Sequence, residues 1–375
     1  MKGTMQIAII GCGYIADVYI RTLMAYPSLQ VIGVADRDAQ RASKFGAHYG
    51  LPVYDRVDQL LSDPRVQIVL NLTNPGSHYA VSKACLQAGK HVYSEKPLAM
   101  DFGEAKELVE LAEAGGLQIS SAPCSLLGEC AQTMWAALRQ NRVGQIRAVY
   151  AEMDDGLVHR MPFRSWLSAS GTPWPYKDEF EVGCTVEHAG YSLSWLAAFF
   201  GPAQSVTAFS SIQIPDKHPS VAANDMAPDL SLAAIKFASG VVARLTCSVI
   251  APGDHTLRIM GDDGILYTHD VWHYTSPVYS RRWMTIRRRM LLNPLRKRHP
   301  RLAEKGRKIV EDDRARGVAE MAGAISEGRP NRLSARFSLH LTELTLAIQH
   351  SGIEGKAYRM TTSFDPIEPM PWASS

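Results

Sequence analysis

Residues 6–16 restrict the fold more than any other part of this 375-residue chain. Residues 6–10 form a short β-branched run. Gly11-Cys12-Gly13-Tyr14-Ile15-Ala16 follows as G-x-G-x-x-A, ahead of a helical stretch ending near Tyr26-Pro27. Glycines at that spacing permit a tight turn and let the backbone come close to a pyrophosphate, which then rests on the positive end of the next helix. Gly11, Gly13, Tyr14, Ile15 and Ala16 are therefore candidate dinucleotide ligands. A second strand, Leu29–Ala35, leads into Asp36, where a carboxylate is expected to accept hydrogen bonds from the adenosine ribose hydroxyls. A carboxylate there repels a 2′-phosphate, so NAD is expected ahead of NADP. The neighbouring Arg37 can either stack on adenine or pair with that phosphate.

The pattern then repeats. Helices are expected over 37–49, near 57–61 and over 77–88, with a buried strand at 67–72 and another in the apolar run that starts at His91. Asp101 can cap a helix running to about Ala114, and 118–121 is expected as a sixth strand. Strands alternating with helices over short connections mean a parallel, doubly wound sheet. Thr73 and Asn74 follow a strand's carboxyl end and His78 starts the next helix, so they are expected to face the dinucleotide. On spacing alone, an exposed helix-start histidine fits His78 as well. Ser94-Glu95-Lys96-Pro97 places a lysine at the carboxyl end of a strand, held by the proline after it, where open α/β sheets present reactive groups.

The chain is long enough for two domains with sizeable cores, expected at 1–123 and 124–375. Hydrophobic residues make up 46% and charged ones 21%, and the formal charge of +3 is too small to imply a polyanionic partner globally. Six cysteines lie scattered without a C-x-x-C pair, which reads as reduced thiols in a cytoplasmic compartment, and no metal site is expected. The run 7–10 meets Gly11 too soon for a signal peptide, and no window approaches the roughly 18 apolar residues of a membrane span.

Taken together, Gly11 to Ala16, Asp36, Thr73-Asn74-Pro75 with His78, Ala88-Gly89-Lys90-His91-Val92 and Glu95-Lys96-Pro97 resemble the Gfo/Idh/MocA family, the glucose-fructose oxidoreductase and inositol dehydrogenase group. The resemblance covers the first 120 residues in order and spacing. It implies an N-terminal Rossmann domain followed by an α/β domain whose open, mostly antiparallel sheet carries substrate and dimer contacts, in a homodimer or homotetramer. It further implies that Glu95 and Lys96 lie by the cofactor, with Lys96 beside the nicotinamide and a sugar or polyol hydroxyl. The Lys96-Pro97 bond is often cis in that family.

Motifs thin out after Pro123. A helix is expected over 126–138 and strands over 146–153, 204–212, 231–237, 241–250, 256–260 and 265–267, with Gly240 as a hairpin turn. The loop 160–176 carries Arg164, Trp166, Trp174 and Tyr176; an arginine among aromatic faces suits a sugar or nucleotide, and interface packing explains it almost as well. The stretch from Glu181 to Tyr191 aligns with the family's glycine-rich turn followed by D-x-x-x-H on a helix. Glu187 stands where the family has Asp and Tyr191 where it has His, one helical turn apart on one face. Tyrosine, with a reference pKa near 10, is a poor base at neutral pH but can donate to a developing oxyanion. The resemblance thus gives proton transfer to Lys96, orientation of the substrate to Tyr191, and positioning of substrate or lysine to Glu187. His188 is a reserve base or a buried structural histidine. Residues 281–308 hold twelve Lys or Arg against one acid, Glu304, with apolar residues between them. They read as a solvated, mobile insertion, as a contact for an anionic membrane, or as a clamp for the phosphates of a nucleotide-linked substrate. Nucleic acid is not expected, since no binding motif accompanies the run. Helices over 313–326 and 334–351 and a proline-containing tail end the chain.

The resulting expectation is an NAD-dependent oxidoreductase acting on a secondary hydroxyl of a sugar, sugar derivative or nucleotide-linked sugar. Lys96 accepts the hydroxyl proton, once partial desolvation and the positive nicotinamide have favoured its neutral form. The rivals are a redox-neutral enzyme that re-reduces its own intermediate, and a non-catalytic sensor of nucleotide and sugar.

Overall fold

The computed structural model describes residues 4–218, 221–354 and 356–374. Strand β1 (Met5–Ile10) is apolar on nearly every residue, and Ile7, Ala8 and Ile9 have no exposed surface. A strand of that kind fits only where both faces of a sheet are covered. There follow α1 (Tyr14–Leu23), β2 (Leu29–Ala35), α2 (Ala39–Tyr49), α3 (Val57–Ser62), β3 (Ile68–Asn71), α4 (His78–Gln87), β4 (His91–Ser94), α5 (Phe102–Ala114) and β5 (Ile119–Ser121). The strands pair in parallel in the order β2-β1-β3-β4-β5. Strand order therefore reverses between β1 and β3, and their carboxyl ends frame the crevice where such sheets bind ligands.

Among the described residues this sheet has five strands, not six. Residues 118–121 contribute the fifth, and beyond β2 the chain makes only a single parallel bridge, Val53 to Val34. Pro52 has no N–H to extend that ladder, and α3 begins four residues after Val53. Caps explain two helix starts. Asp38 accepts from the N–H groups of Gln40 and Arg41, and Asp101 accepts from that of Glu104, as expected.

The remaining elements are α6 (Glu129–Arg139), β6 (Ile146–Asp154), α7 (Tyr176–Val182), α8 (Gly190–Phe200), β7 (Ala203–Ser211), β8 (Leu230–Phe237), β9 (Val242–Ser248), β10 (Leu257–Gly261), β11 (Gly264–Thr268), β12 (Val278–Ile286), β13 (Arg289–Leu292), β14 (Lys297–Arg298), α9 (Ala315–Glu327), α10 (Ala335–Glu354) and β15 (Ala357–Arg359). Helix α6 starts later than expected, because Ser125–Leu127 makes one tight turn and Gly128 is extended before the helix begins. The second sheet runs β13-β12-β11-β10-β6-β9-β8-β7-β15, with β14 beside β12. Among the described residues of this sheet, β6 and β9 are the one parallel pair of strands. Burial alternates along β7 and β8, so one face is core and the other is open. The basic segment from Arg281 is no loose insertion where it begins: β12 and β13 form a hairpin that prolongs this sheet.

Two compact units share the chain. One contains the chain up to Cys124, Met161–Val182 and Arg314–Glu343; the other contains Ser125–Arg160, Gly183–Asp313 and the chain from Leu344 on. In the first, alternate residues of the strands serve opposite faces. Ile7, Ile9, Ile68 and Leu70 pack with α1, α2 and α9, whereas Ala8, Ile10 and Val69 pack with α3, α4 and α5. No helix among the described residues is long and apolar enough to cross a membrane.

Candidate active site

In the first unit the expected ligands gather at the carboxyl ends of the parallel strands. Gly11 has φ +99, and a Cβ there would lie 2.6 Å from the carbonyl of Leu72, so the turn onto α1 needs glycine. Space at Gly13 is open, with nothing within 4 Å of a built Cβ. No side chain caps α1, which leaves its first N–H groups directed at whatever enters the turn. These residues fit a dinucleotide pyrophosphate.

Asp36 carries more than the sequence suggests. Its Oδ2 accepts from Cys12 N at 2.8 Å and Arg41 Nε at 2.9 Å, and its Oδ1 from Asp38 N at 2.9 Å and Arg41 Nη2 at 2.8 Å. Burial opposes the charge, but the Arg41 guanidinium and the two backbone N–H groups outweigh it and hold the carboxyl below its usual pKa. All four lone-pair directions of the carboxylate are thereby taken. Arg37 is exposed. Arg41, five residues on in the first turn of α2, is the residue that sequence reasoning missed.

Thr73 donates its hydroxyl to Asn71 Oδ1 at 2.7 Å, and the exposed Asn74 accepts from the Ser77 hydroxyl at 2.8 Å. His78 is fully buried, neither an exposed helix start nor a surface toward solvent. Its Nδ1 lies 2.7 Å from the carbonyl oxygen of Pro97 and its Nε2 3.0 Å from that of Thr73. The ring ties the loop after β3 to the loop after β4, and burial pushes its pKa down against the pull of both carbonyls.

Lys96 is half-buried just beyond β4, and the Lys96–Pro97 peptide is cis. Glu95 beside it is buried and works as an anchor. It accepts from the Tyr19 hydroxyl at 2.7 Å and from the Lys96 N–H at 3.2 Å, with Arg314 Nη1 at 3.8 Å. Nothing in the sequence pairs Tyr19 or Arg314 with Glu95.

Arg164 and Trp166 belong to this same unit. Arg164 is exposed, and Trp166 stands edge-on to Trp174 with centroids 5.2 Å apart. Phe163 packs against Trp174, Tyr176 and Phe180. The tip of the loop is pinned to α1, where Asp17 accepts from the Ser170 N–H at 2.9 Å and from its hydroxyl at 2.7 Å.

In the second unit, Gly183 (φ +98) turns the chain so that a Cβ would lie 2.8 Å from Gln349 Oε1. Thr185–Ala189 then winds as a wide π-type turn before α8. Because that turn holds more residues than an α-turn, the four-residue spacing of Glu187 and Tyr191 does not align them as squarely as expected. Glu187, His188 and Tyr191 are all buried. Tyr191 lies flat on Trp272, centroids 4.2 Å apart and planes 15° apart. Asp270 fixes Trp272 by accepting from its N–H at 2.7 Å. His255 stacks on Trp272's ring at 5.2 Å and sits between Asp155, at 3.3 Å, and Asp270, at 3.7 Å. Burial disfavours its charge, yet the two carboxylates prevail and raise its pKa to about 9. Asp155 also faces His188 Nδ1 at 3.9 Å. Trp272, His255 and Asp155 carry no motif in the sequence that would have marked them. Among the described residues no group of three or more His, Cys, Asp or Glu could hold a metal ion.

Residues 5–122 match the oxidoreductase family with an NAD-binding Rossmann fold, and residues 131–267 match the GFO/IDH/MocA C-terminal domain. The mouse trans-1,2-dihydrobenzene-1,2-diol dehydrogenase is 26% identical over 275 residues, covering 72% of this chain and 76% of that protein. Among solved structures, an aldose-aldose oxidoreductase from Caulobacter crescentus superposes with a TM-score of 0.75 at 17% identity, covering 95% of this chain and 100% of that one. A 3-ketoreductase from Actinomadura kijaniata, solved with NADP and TDP-benzene, gives 0.73 at 21% identity, covering 92% and 97%. These two structures establish likeness of fold.

Proposed function

The chain belongs to the Gfo/Idh/MocA family of oxidoreductases, and we propose that it is an NAD-dependent dehydrogenase that oxidises or reduces a secondary hydroxyl or keto group of a sugar, sugar derivative or nucleotide-linked sugar. The observation that carries this reading is the mounting of Lys96. It follows a strand of the nucleotide-binding sheet, with its own N–H bound to a buried carboxylate and the next residue's carbonyl bound to buried His78. A side chain held from both neighbours is suited to proton transfer at a fixed point. The names of the relatives support the substrate class, since an aldose, a diol and a keto group each offer a hydroxyl or carbonyl carbon.

The turn from Gly11 to Ala16 would hold the pyrophosphate, Asp36 with its partner Arg41 would face the adenosine ribose with Arg37 beside them, and Thr73, Asn74, Glu95 and Lys96 would hold the nicotinamide end. When bound, the nicotinamide supplies the hydride acceptor or donor. Lys96 takes the hydroxyl proton in the oxidative direction and returns it in the other. Tyr191, braced on Trp272, orients the substrate oxygen by donating to it, and Glu187 positions the substrate. Arg164 and Trp166 contact the more distant part of the substrate, and His188 is the reserve base.

One observation favours a second cofactor reading. Arg41 neutralises Asp36 and takes two of its four acceptor positions, so the carboxylate repels a 2′-phosphate less than a bare one would, and the guanidinium offers a cation to pair with it. NADP is thus the rival cofactor.

The test is mass-spectrometric identification of nucleotide released from the denatured protein, before and after incubation with a panel of sugars and nucleotide sugars. Reduction of NAD by one panel member, lost in Lys96→Ala, is expected. A transformed sugar with the nucleotide still oxidised would favour a redox-neutral reaction, and neither change would favour a sensor.

A further inference from the structure

We propose that the hairpin of β12 and β13 is a docking finger for an anionic phospholipid surface. Ile286 pairs with Arg289 across a two-residue turn, Arg287-Arg288, in which Arg287 has φ +57. Three consecutive arginines therefore crown the tip, and all are exposed. Among the described residues, Arg287, Arg288 and Arg289 have no acidic partner.

Apolar side chains surround them in water. Ile286 is 47% exposed, Met290 66%, Leu291 46% and Leu295 79%. The register sets Met284 and Leu291 on one face of the hairpin and Thr285 and Met290 on the other, so neither face is free of exposed hydrocarbon. So many large apolar groups exposed on and just after one hairpin mark an interaction site.

The mixture selects the partner. A second copy of the same hairpin would bring like charges together. A nucleic acid would satisfy the arginines but leave Ile286, Met290, Leu291 and Leu295 in water. An anionic bilayer takes both, phosphate groups meeting the guanidinium groups and the boundary of the acyl chains receiving the apolar side chains.

The test is co-sedimentation of the full-length protein with vesicles of phosphatidylcholine, with and without phosphatidylglycerol. Binding only to the anionic vesicles, weakened by salt, is expected. Arg287→Gln with Arg288→Gln and Arg289→Gln should weaken it by about a hundredfold. Ile286→Ser with Met290→Ser and Leu291→Ser, which keeps every charge, should weaken it by about tenfold or more. Thermal melting of both variants checks that they fold. Absence of binding by the unmodified protein to anionic vesicles overturns the proposal, as does binding that neither triple substitution reduces. Binding to duplex DNA that displaces the vesicles and survives the apolar substitutions would assign the finger to nucleic acid instead.

Discussion

The hydroxyl of Tyr19, on the first helix, donates to Oε1 of Glu95 across 2.7 Å in the interior of the nucleotide-binding unit. Glu95 in turn accepts from the N–H of Lys96, so a tyrosine on α1 holds the residue before the proposed base. Tyr19→Phe removes the shortest of the donors to a buried carboxylate, which costs about 1–3 kcal/mol of stability. Urea unfolding should read that loss. Steady-state kinetics should show kcat falling by about tenfold with little change in KM; an unchanged kcat would mean that Glu95 does not position Lys96.

Cofactor preference should turn on Arg41. Arg41→Ala frees two acceptor positions on Asp36 for ribose hydroxyls and removes the cation that a 2′-phosphate would meet. The ratio of NAD to NADP affinity should rise by about tenfold, and Asp36→Ala should move it the other way. Fluorescence titration with both reduced cofactors measures each. Because the folded carboxyl titrates below its usual value of 3.8, its contribution to stability is whole above about pH 4. That contribution is lost as pH falls through the lower, folded value.

His255 should impose the opposite pH dependence. Its folded pKa of about 9 lies above the ordinary 6.5. The stabilisation is therefore complete below about pH 6.5 and is lost as pH rises through about 9. Thermal melting across that window should show a decline that His255→Gln removes. If the variant declines as steeply as the parent, Asp155 and Asp270 do not hold a charged imidazole.

The open face of the second sheet exposes Phe209 (53%), Leu232 (44%) and Val242 (48%), with Arg244 stacked over Tyr150. We expect a second copy of the chain to cover it. Phe209→Asp with Leu232→Asp should convert the assembly to monomer in light scattering, and a parent protein that is already monomeric would end this reading.

The first unit was the more legible in sequence, for a physical reason. A strand buried on both faces must be apolar throughout, and a turn where any Cβ would fall 2.6 Å from the Leu72 carbonyl must be glycine, so β1 and Gly11 announce themselves. The strand at 118–121 formed where it was expected, as the fifth of the sheet and not a sixth. The wide turn at Thr185–Ala189 stayed hidden, since helical spacing assumes a regular pitch. Partners distant in sequence left no trace: Tyr19 with Glu95, His78 with Pro97, and Trp272 with Tyr191 are contacts of side chains whose types are common everywhere. The basic run was visible, but its pairing as a hairpin depends on the turn at Arg287, a position where glycine or asparagine would have been the usual signal.

The aromatic segment from Met161 to Val182 follows residues of the second unit in the chain, yet belongs to the nucleotide-binding unit and is pinned to α1 through Asp17 and Ser170. Gene fusion between relatives is therefore constrained. A single crossover near Cys124 would splice one parent's Asp17 to another parent's loop and leave that joint mismatched. Transplanting the whole body requires crossovers at Cys124, Arg160, Val182, Asp313 and Glu343, so that Asp17 and Ser170 are inherited together.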